Sequence, residues 1–260
     1  MFTAGEIAGL KNDLREFYNN FLKYTTINSF YQISKLTTDN KYTKYVMRYI
    51  EPESKVLDIG MGAGILTLEM ARISKDVTGI DVASSVVDYA AGLKNIELRR
   101  YKLIEDYKKQ NYNTDQMSNI NYQVCDAEAL SFKNNTFDII VAQDIIEHLP
   151  APIKALNEMI RCLKDNGKII LILHTPELDT NLNIESWKQN IAKMKNKDAV
   201  SKMNYSVLST WIKRKKLKVD KLKVTYNNPF INLLTSLITK LQGALFIEKF
   251  EDTIILILEK

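Results

Sequence analysis

The chain has only two histidines, and one of them, His148, stands beside Asp144 and Glu147 in the stretch AQDIIEHLP at 142–150. An imidazole with two carboxylates at this spacing suits three kinds of work. The imidazole, whose unperturbed pKa is near ~6.5, can accept a proton from an oxygen or nitrogen nucleophile or orient it. The acids and the imidazole, with the second histidine His174, are donors of the kind that hold a divalent ion. The plainest alternative makes Asp144 and Glu147 the acidic first turn of the next helix, favoured there by its dipole.

A second constellation lies earlier. VLDIGMGAGILTLEMA at 56–71 reads as a strand, a glycine loop and a helix start. Gly60, Gly62 and Gly64 let the backbone turn tightly, so a ligand can reach main-chain N–H groups without a Cβ in the way. The spacing is G-x-G-x-G, with isoleucine where a dinucleotide-binding turn has its third glycine. Asp58, just before the loop, would repel a pyrophosphate and welcome an ammonium group. Asp81 ends the next apolar run about 20 residues further on, where an acid can accept both hydroxyls of a ribose. A nucleoside with a cationic amino-acid tail fits this pattern better than a dinucleotide does, which describes S-adenosylmethionine.

These residues need a frame. The apolar runs KVLDIG (55–60), DVTGID (76–81), NYQVCD (121–126), FDIIVA (137–142) and KIILILH (168–174) alternate with helical stretches at 63–74, 83–109 and 151–164. Near-continuous apolar strands between helices predict a parallel sheet covered on both faces. Gly167 in KDNGK is the expected C-cap of the last of these helices. Thr38 or Asp39 is the expected N-cap of a helix that Pro52 stops. A helical stretch at 184–215 and two runs at 217–226 and 252–259, read as a closing strand pair, complete the pattern. The expected architecture is α/β, a doubly wound Rossmann-like sheet of seven mostly parallel strands with helices on both faces. An N-terminal helical cap (1–40) precedes a ligand-binding domain (41–260), which carries lid segments at about 175–215 and 228–250. The second lid is a helical insertion before the last strand.

Composition narrows the class. The chain has 260 residues, 45% of them hydrophobic and 26% charged, which suits a globular protein with one large domain. Its net charge of +5 comes from lysines spread along the sequence rather than clustered as a nucleic-acid footprint. The densest basic run, WIKRKKLKVDKLK (211–223), reads as a solvated helix end leading into a strand. Cys125 and Cys162 provide neither a disulfide framework nor metal-ligand spacing and read as buried thiols of a reducing compartment. The start of the sequence does not read as a signal peptide, and 231–247 is too short and polar to span a bilayer. The expectation is a soluble, cytoplasmic protein. The stripe Phe230, Leu233, Leu234, Leu237, Ile238 and Leu241 has helical spacing and reads as core or lid, with contact to a membrane surface as the alternative.

With these motifs in order, the chain resembles the class I S-adenosylmethionine-dependent methyltransferases over roughly 40–175, with the last two strands in outline. Its branch resembles the small-molecule (type 11) enzymes similar to the ubiquinone-biosynthesis O-methyltransferases. The resemblance implies S-adenosylmethionine as cofactor and S-adenosylhomocysteine as product. It assigns the cofactor loop to Asp58, Gly60, Met61, Gly62 and Gly64, and the ribose to Asp81 with Val82 beside it. In CDAEALSF (125–132) it gives Asp126 the adenine amino group and Ala127 a backbone donor. Taken alone, Asp126 could equally be a helix N-cap. Gln143 would border the methionine moiety, and His148 would be the catalytic base or substrate orienter in methyl transfer to an O or N (less readily C) nucleophile.

The implied acceptor is a small molecule, flat or lipophilic if the aromatic caps line its site. DNA is not expected. RNA is the rival acceptor, because the small-RNA 2′-O-methyltransferases carry magnesium ligands in a similar Glu-x-x-Glu-His stretch. Here Asp144 replaces the first glutamate, one methylene shorter, and no metal ligand is assigned. A non-catalytic S-adenosylmethionine-binding protein is the alternative from another class. Two departures from the family are the long stretch after the second strand and the residues Met61 and Ala63, where a Cys, Ser or Thr is common.

Overall fold

The computed structural model describes residues 41–103, 120–174, 205–224 and 253–260, and before them residues 5, 8, 9, 11, 12, 15, 16 and 19. The elements described are α1 (Lys41–Met47), β1 (Lys55–Ile59), α2 (Ile65–Met70), β2 (Asp76–Asp81) and α3 (Ser84–Leu103). They continue with β3 (Asn121–Val124), β4 (Phe137–Gln143), a 3-10 turn (Ile146–His148), α4 (Pro152–Cys162) and β5 (Leu163–His174). Last come α5 (Tyr205–Lys215), β6 (Lys218–Val224) and β7 (Thr253–Glu259). The expected insertion at 229–248, the Thr38 or Asp39 cap and most of the lid at 175–204 lie outside the described residues.

The strands form one seven-stranded sheet in the order β3-β2-β1-β4-β5-β7-β6. The pairs from β3 to β5 are parallel, and β7 runs antiparallel between β5 and β6. Alternation within the apolar strands explains why they had to be buried on both sides. Leu57, Ile59, Ile140, Ile169, Leu171, Leu256 and Leu258 face a core completed by Leu156 and Met159 of α4 and Leu208 and Trp211 of α5. Their neighbours Val56, Ile139, Val141, Ile170, Ile172, Ile255 and Ile257 face the opposite core, with Val46 of α1 and Leu66 and Met70 of α2. The chain leaves β1 toward β2 on one side and returns to β4 on the other. At such a reversal the following loops diverge and leave a crevice at the strands' carboxyl ends.

Two local expectations are corrected. The helix before β5 ends at Cys162, with Leu163 already extended, and Asn166 (φ 64), not Gly167, takes the left-handed conformation in the turn. Asn tolerates that region because its short side chain can bond locally. Gly167 is needed for space, since a Cβ there would lie 2.9 Å from the Asp138 carbonyl oxygen and 2.9 Å from Leu163 Cδ1. Secondly, Asp144 and Glu147 are not the first turn of α4. Leu149 is extended, as the residue before a proline is disposed to be, and cuts the 3-10 turn off from α4. Helix α4 starts afresh at Pro152 with no acid in its first turn.

Gly167→Ala should destabilise the fold by about 1–3 kcal/mol through backbone overpacking, measured by denaturant unfolding. Asn166→Ala, which only strains the turn, should cost less than that.

Candidate functional site

The crevice is built from the residues that follow β1, β2, β3 and β4. The loop after β1 is tied to β2, for the N–H groups of Gly60 and Met61 both donate to the Ile80 carbonyl at 2.9 and 3.0 Å. Gly60 (φ 68) is fixed twice over, because a Cβ there would also meet Ile145 Cγ1 at 2.8 Å. Ile145, just past β4, therefore closes the loop from the other side. Gly62 (φ 53) is different: a Cβ there would meet no atom of the described residues within 4 Å. The loop thus presents one bare backbone edge to open space, while the Met61 side chain turns inward and packs with Val87, Ala90 and Tyr122.

Asp81 sits at the end of β2 beneath that edge. Its Oδ2 accepts the Gly62 N–H at 3.3 Å and its Oδ1 the Ala83 N–H at 3.0 Å. Burial pushes its carboxyl above the ordinary range, and the N–H groups of Ala83, Gly62 and Val82 pull it back toward ionisation. Each oxygen retains a lone pair for a further donor. A carboxylate held rigid beside an open glycine edge is a fitting receiver for a vicinal diol. Val82 follows it, half-buried.

Asp58 lies under the loop rather than on its open face. It is 2% exposed and accepts a 2.6 Å hydrogen bond from Thr67 Oγ1 of α2. Burial raises its pKa to about 7, against the Thr67 hydrogen bond and with a small push from the Asp81 charge. In this structure it binds the loop to α2 and meets a ligand only through whatever moves above it. Close by, the Tyr122 hydroxyl is buried without a hydrogen-bond partner among the described residues, and burial, then the Asp58 charge, raises its pKa.

Past β3, Cys125 N–H donates to the Asp81 carbonyl at 2.9 Å, which sets Asp126 and the buried Ala127 next to the β2 end. Asp126 Oδ1 accepts the Glu128 N–H at 2.8 Å, a local turn of the capping kind, and Oδ2 receives Lys11 Nζ at 2.7 Å. Glu128 is 1% exposed, and its Oε1 accepts the Ala151 N–H at 2.8 Å. This carboxylate serves the α4 N-terminus in the place once given to Asp144 and Glu147. Arg161 of α4 braces the same loop, with Nη1 on the Phe132 carbonyl (2.7 Å) and Nη2 on the Leu130 carbonyl (2.8 Å). Glu128 and Lys11 were not singled out in the sequence. Glu128 lies within CDAEALSF, where attention went to its neighbours Asp126 and Ala127, and Lys11 is one lysine among many.

At the β4 end, Gln143 is half-buried, with Nε2 at 3.4 Å from Asp144 Oδ2. Asp144 has a left-handed backbone (φ 53), its N–H donating to the Ile172 carbonyl at 2.9 Å. His148 closes the 3-10 turn, half-buried, at this same carboxyl edge. Among the described residues no three His, Cys, Asp or Glu side chains gather as a metal site. The side chains of Glu147 and His174 lie outside that description.

With the geometry in view, comparisons with known proteins define the class. Residues 57–171 match a family described as "Methyltransferase domain". Over 127 residues the chain is 32% identical to a ubiquinone biosynthesis O-methyltransferase of Coxiella burnetii, covering 48% of this chain and 46% of that one. The chain thus spans about half the length of the curated relatives it matches first. Among solved structures, a SAM-dependent methyltransferase from Aquifex aeolicus aligns with a TM-score of 0.55 at 16% identity, covering 90% of this chain and 98% of that one. The 4+2 cyclase SpnF aligns with a TM-score of 0.54 at 15% identity, covering 85% of this chain and 80% of that one. These structural likenesses speak for the fold.

The matched segment is thus similar to a methyltransferase domain, on a fold shared with a SAM-dependent methyltransferase. The match covers residues 57–171, which hold the glycine loop, Asp81, Asp126 and His148.

The Asp58 shift gives a pH test. A carboxyl whose folded pKa is raised is neutral in the fold while already ionised in the unfolded chain, so it costs stability as pH rises from about 4 toward 7. Asp58→Asn retains an acceptor for Thr67 and removes that cost. The variant should gain on the wild type across this window, by on the order of a few kcal/mol at its upper end. Paired unfolding curves at pH 4, 5.5 and 7 measure it, and a constant difference would contradict the buried-acid reading.

Proposed function

We propose that the chain transfers a methyl group from S-adenosylmethionine to an oxygen or nitrogen nucleophile of a small-molecule acceptor. The observation that carries the reading is the bare Gly62 edge with the Asp81 carboxylate fixed beneath it at the sheet's switch point. The bound cofactor would supply a methyl group activated on a sulfonium sulfur. Gly60 to Gly64 would receive its amino-acid end along the loop backbone, with the buried Asp58 carboxyl below. The Asp81 oxygens would accept the ribose hydroxyls. Asp126 and Ala127 would meet the purine edge, and Gln143 would flank the methionine portion.

His148 is our candidate for the group that takes the acceptor's proton, on an imidazole nitrogen, or turns the nucleophile toward the methyl. Its place at the carboxyl end of β4, on a turn of its own, puts it at the rim where open α/β sheets bind ligands. That the curated relatives include an O-methyltransferase of ubiquinone biosynthesis supports a small acceptor. No helix among the described residues is long and apolar enough to cross a membrane, and we place the activity in the cytoplasm. The second reading, from another class, is a protein that binds the cofactor without passing on its methyl group.

Asp81→Ala should weaken S-adenosylhomocysteine binding at least about a hundredfold, two hydrogen bonds to a charged group being lost. Titration calorimetry measures this, with circular dichroism to verify the fold; unchanged affinity would remove the cofactor assignment. His148→Ala should lower turnover at least about tenfold and leave cofactor affinity within about twofold. Release of S-adenosylhomocysteine over polar metabolites, an organic extract and RNA, each with and without a chelator, gives the readout. Release driven by RNA and lost with chelator would replace the small acceptor by RNA. Tight binding with no release on any fraction would favour the non-catalytic reading.

A further inference from the structure

Between His148 and the first turn of α4 the backbone has few donors to spare. Pro150 and Pro152 carry no N–H, and the Leu149 N–H is turned back on the Ile146 carbonyl at 3.4 Å. Ala151 holds the one N–H of this stretch that bonds to a distant part of the chain. It donates to Glu128 Oε1 at 2.8 Å. The Ala151 carbonyl meanwhile gives α4 its first acceptor, receiving the Lys154 N–H at 2.9 Å. A shift at Ala151 therefore disturbs both the start of α4 and the turn before it.

The His148 turn is held from different directions. Ile145 lies against the bare Cα of Gly60, on the glycine-loop side. Ile146, fully buried, enters the core that also holds Ala127 and Leu130. The Glu128 contact is the polar one and comes from the segment that follows β3. Glu128 is 1% exposed, and its own N–H donates to Asp126 Oδ1 at 2.8 Å. One residue thus joins the acid proposed for the purine edge to the peptide that follows His148. Its other carboxylate oxygen, Oε2, meets Lys11 Nζ at 2.7 Å and takes no part in this link.

We propose that Glu128 is a positioning residue, the strut by which the nucleoside side of the crevice sets the turn that carries His148. This role rests on the S-adenosylmethionine and His148 readings above. A purine held at Asp126 and Ala127 restrains residues 126–128, and the buried carboxylate passes that restraint through Ala151 to His148. Misplacing a reacting group by about 1 Å costs on the order of a hundredfold in rate, so the fastening matters although Glu128 touches no reacting atom. The occupied nucleoside side completes the turn that takes the acceptor's proton.

Glu128→Gln retains an oxygen for the Ala151 N–H. Glu128→Leu fills the place without one and leaves Lys11 its Asp126 partner. With two histidines in the chain, the His148 imidazole is followed by NMR and assigned with His174→Gln. Saturating S-adenosylhomocysteine should move its signal to one sharp position in wild type and in Glu128→Gln. Glu128→Leu should bind S-adenosylhomocysteine within about fivefold of wild type yet show less than about half of that shift. A wild-type signal that stays put, a full shift in Glu128→Leu or a lost one in Glu128→Gln overturns the strut. So does a Glu128→Leu that is folded by circular dichroism and no longer binds, since Glu128 would then serve the nucleoside itself. Should Glu128→Leu not fold, the wild-type chain decides by hydrogen exchange. S-adenosylhomocysteine should slow exchange of the Ala151 N–H at least about fivefold more than that of the β6 amides, and equal slowing overturns the strut. If wild type binds no S-adenosylhomocysteine, the cofactor reading falls and takes the strut with it; where wild type binds, each failure above belongs to the strut alone.

Discussion

The reversal of strand order at β1, with β2 added on one side and β4 on the other, is the constraint on which the site depends. Because β2 and β4 lie on opposite sides of β1, the loops that leave these strands part company and leave a crevice between them. That gap is narrowed by one contact, Ile145 against the bare Cα of Gly60. With any larger residue at position 60, the loop and the β4 end would be forced apart. The open backbone of Gly62 is usable because its neighbour on the loop is pinned in this way.

Beneath the loop the charges are arranged by burial. Asp58 and Asp81 are both held in the apolar body of the sheet, yet their partners differ in kind. Asp81 is met by two backbone N–H groups, which favour its ionised form. Asp58 is met by one hydroxyl, which offsets little of the cost of its burial. The result is two acids only a loop apart, both raised by burial, one held by backbone N–H groups and the other by a hydroxyl. Around the third strand the same economy holds: Glu128, buried and charged, is answered by a helix terminus on one oxygen and by Lys11 on the other.

Much of this could be read from the sequence because some residues have one physical use. Apolar runs with helices between them dictated the parallel sheet, and the closing strand pair at the end was visible in the same way. Three glycines behind an acid-bearing strand marked the loop, and an acid ending the second strand marked Asp81. The misreadings come from residues with several uses. Asn166 and Gly167 both suit a left-handed turn, and only the proximity of Asp138 assigns the glycine to close packing. Asp144 and Glu147 look like a helix start until Pro150 and Pro152 are seen to separate two turns. The pairing of Glu128 with Lys11 was not legible, since it joins residues far apart in the sequence and no local pattern encodes it.

The place of β7 has a consequence for how the molecule is made. This strand is inserted between β5 and β6, and Lys168 on β5 meets Glu259 on β7 across 91 positions of sequence. Until β7 arrives, the hydrogen-bonding edge of β5 stands uncovered beside a completed parallel half. Closing such a distant pair is slow compared with forming the βα units before it. The half that carries the glycine loop and Asp81 can therefore assemble early during synthesis on the ribosome, whereas β5 waits, apolar and unpaired, for the last strand. In that interval the nascent chain is most exposed to aggregation, and chaperones have their longest opportunity to act.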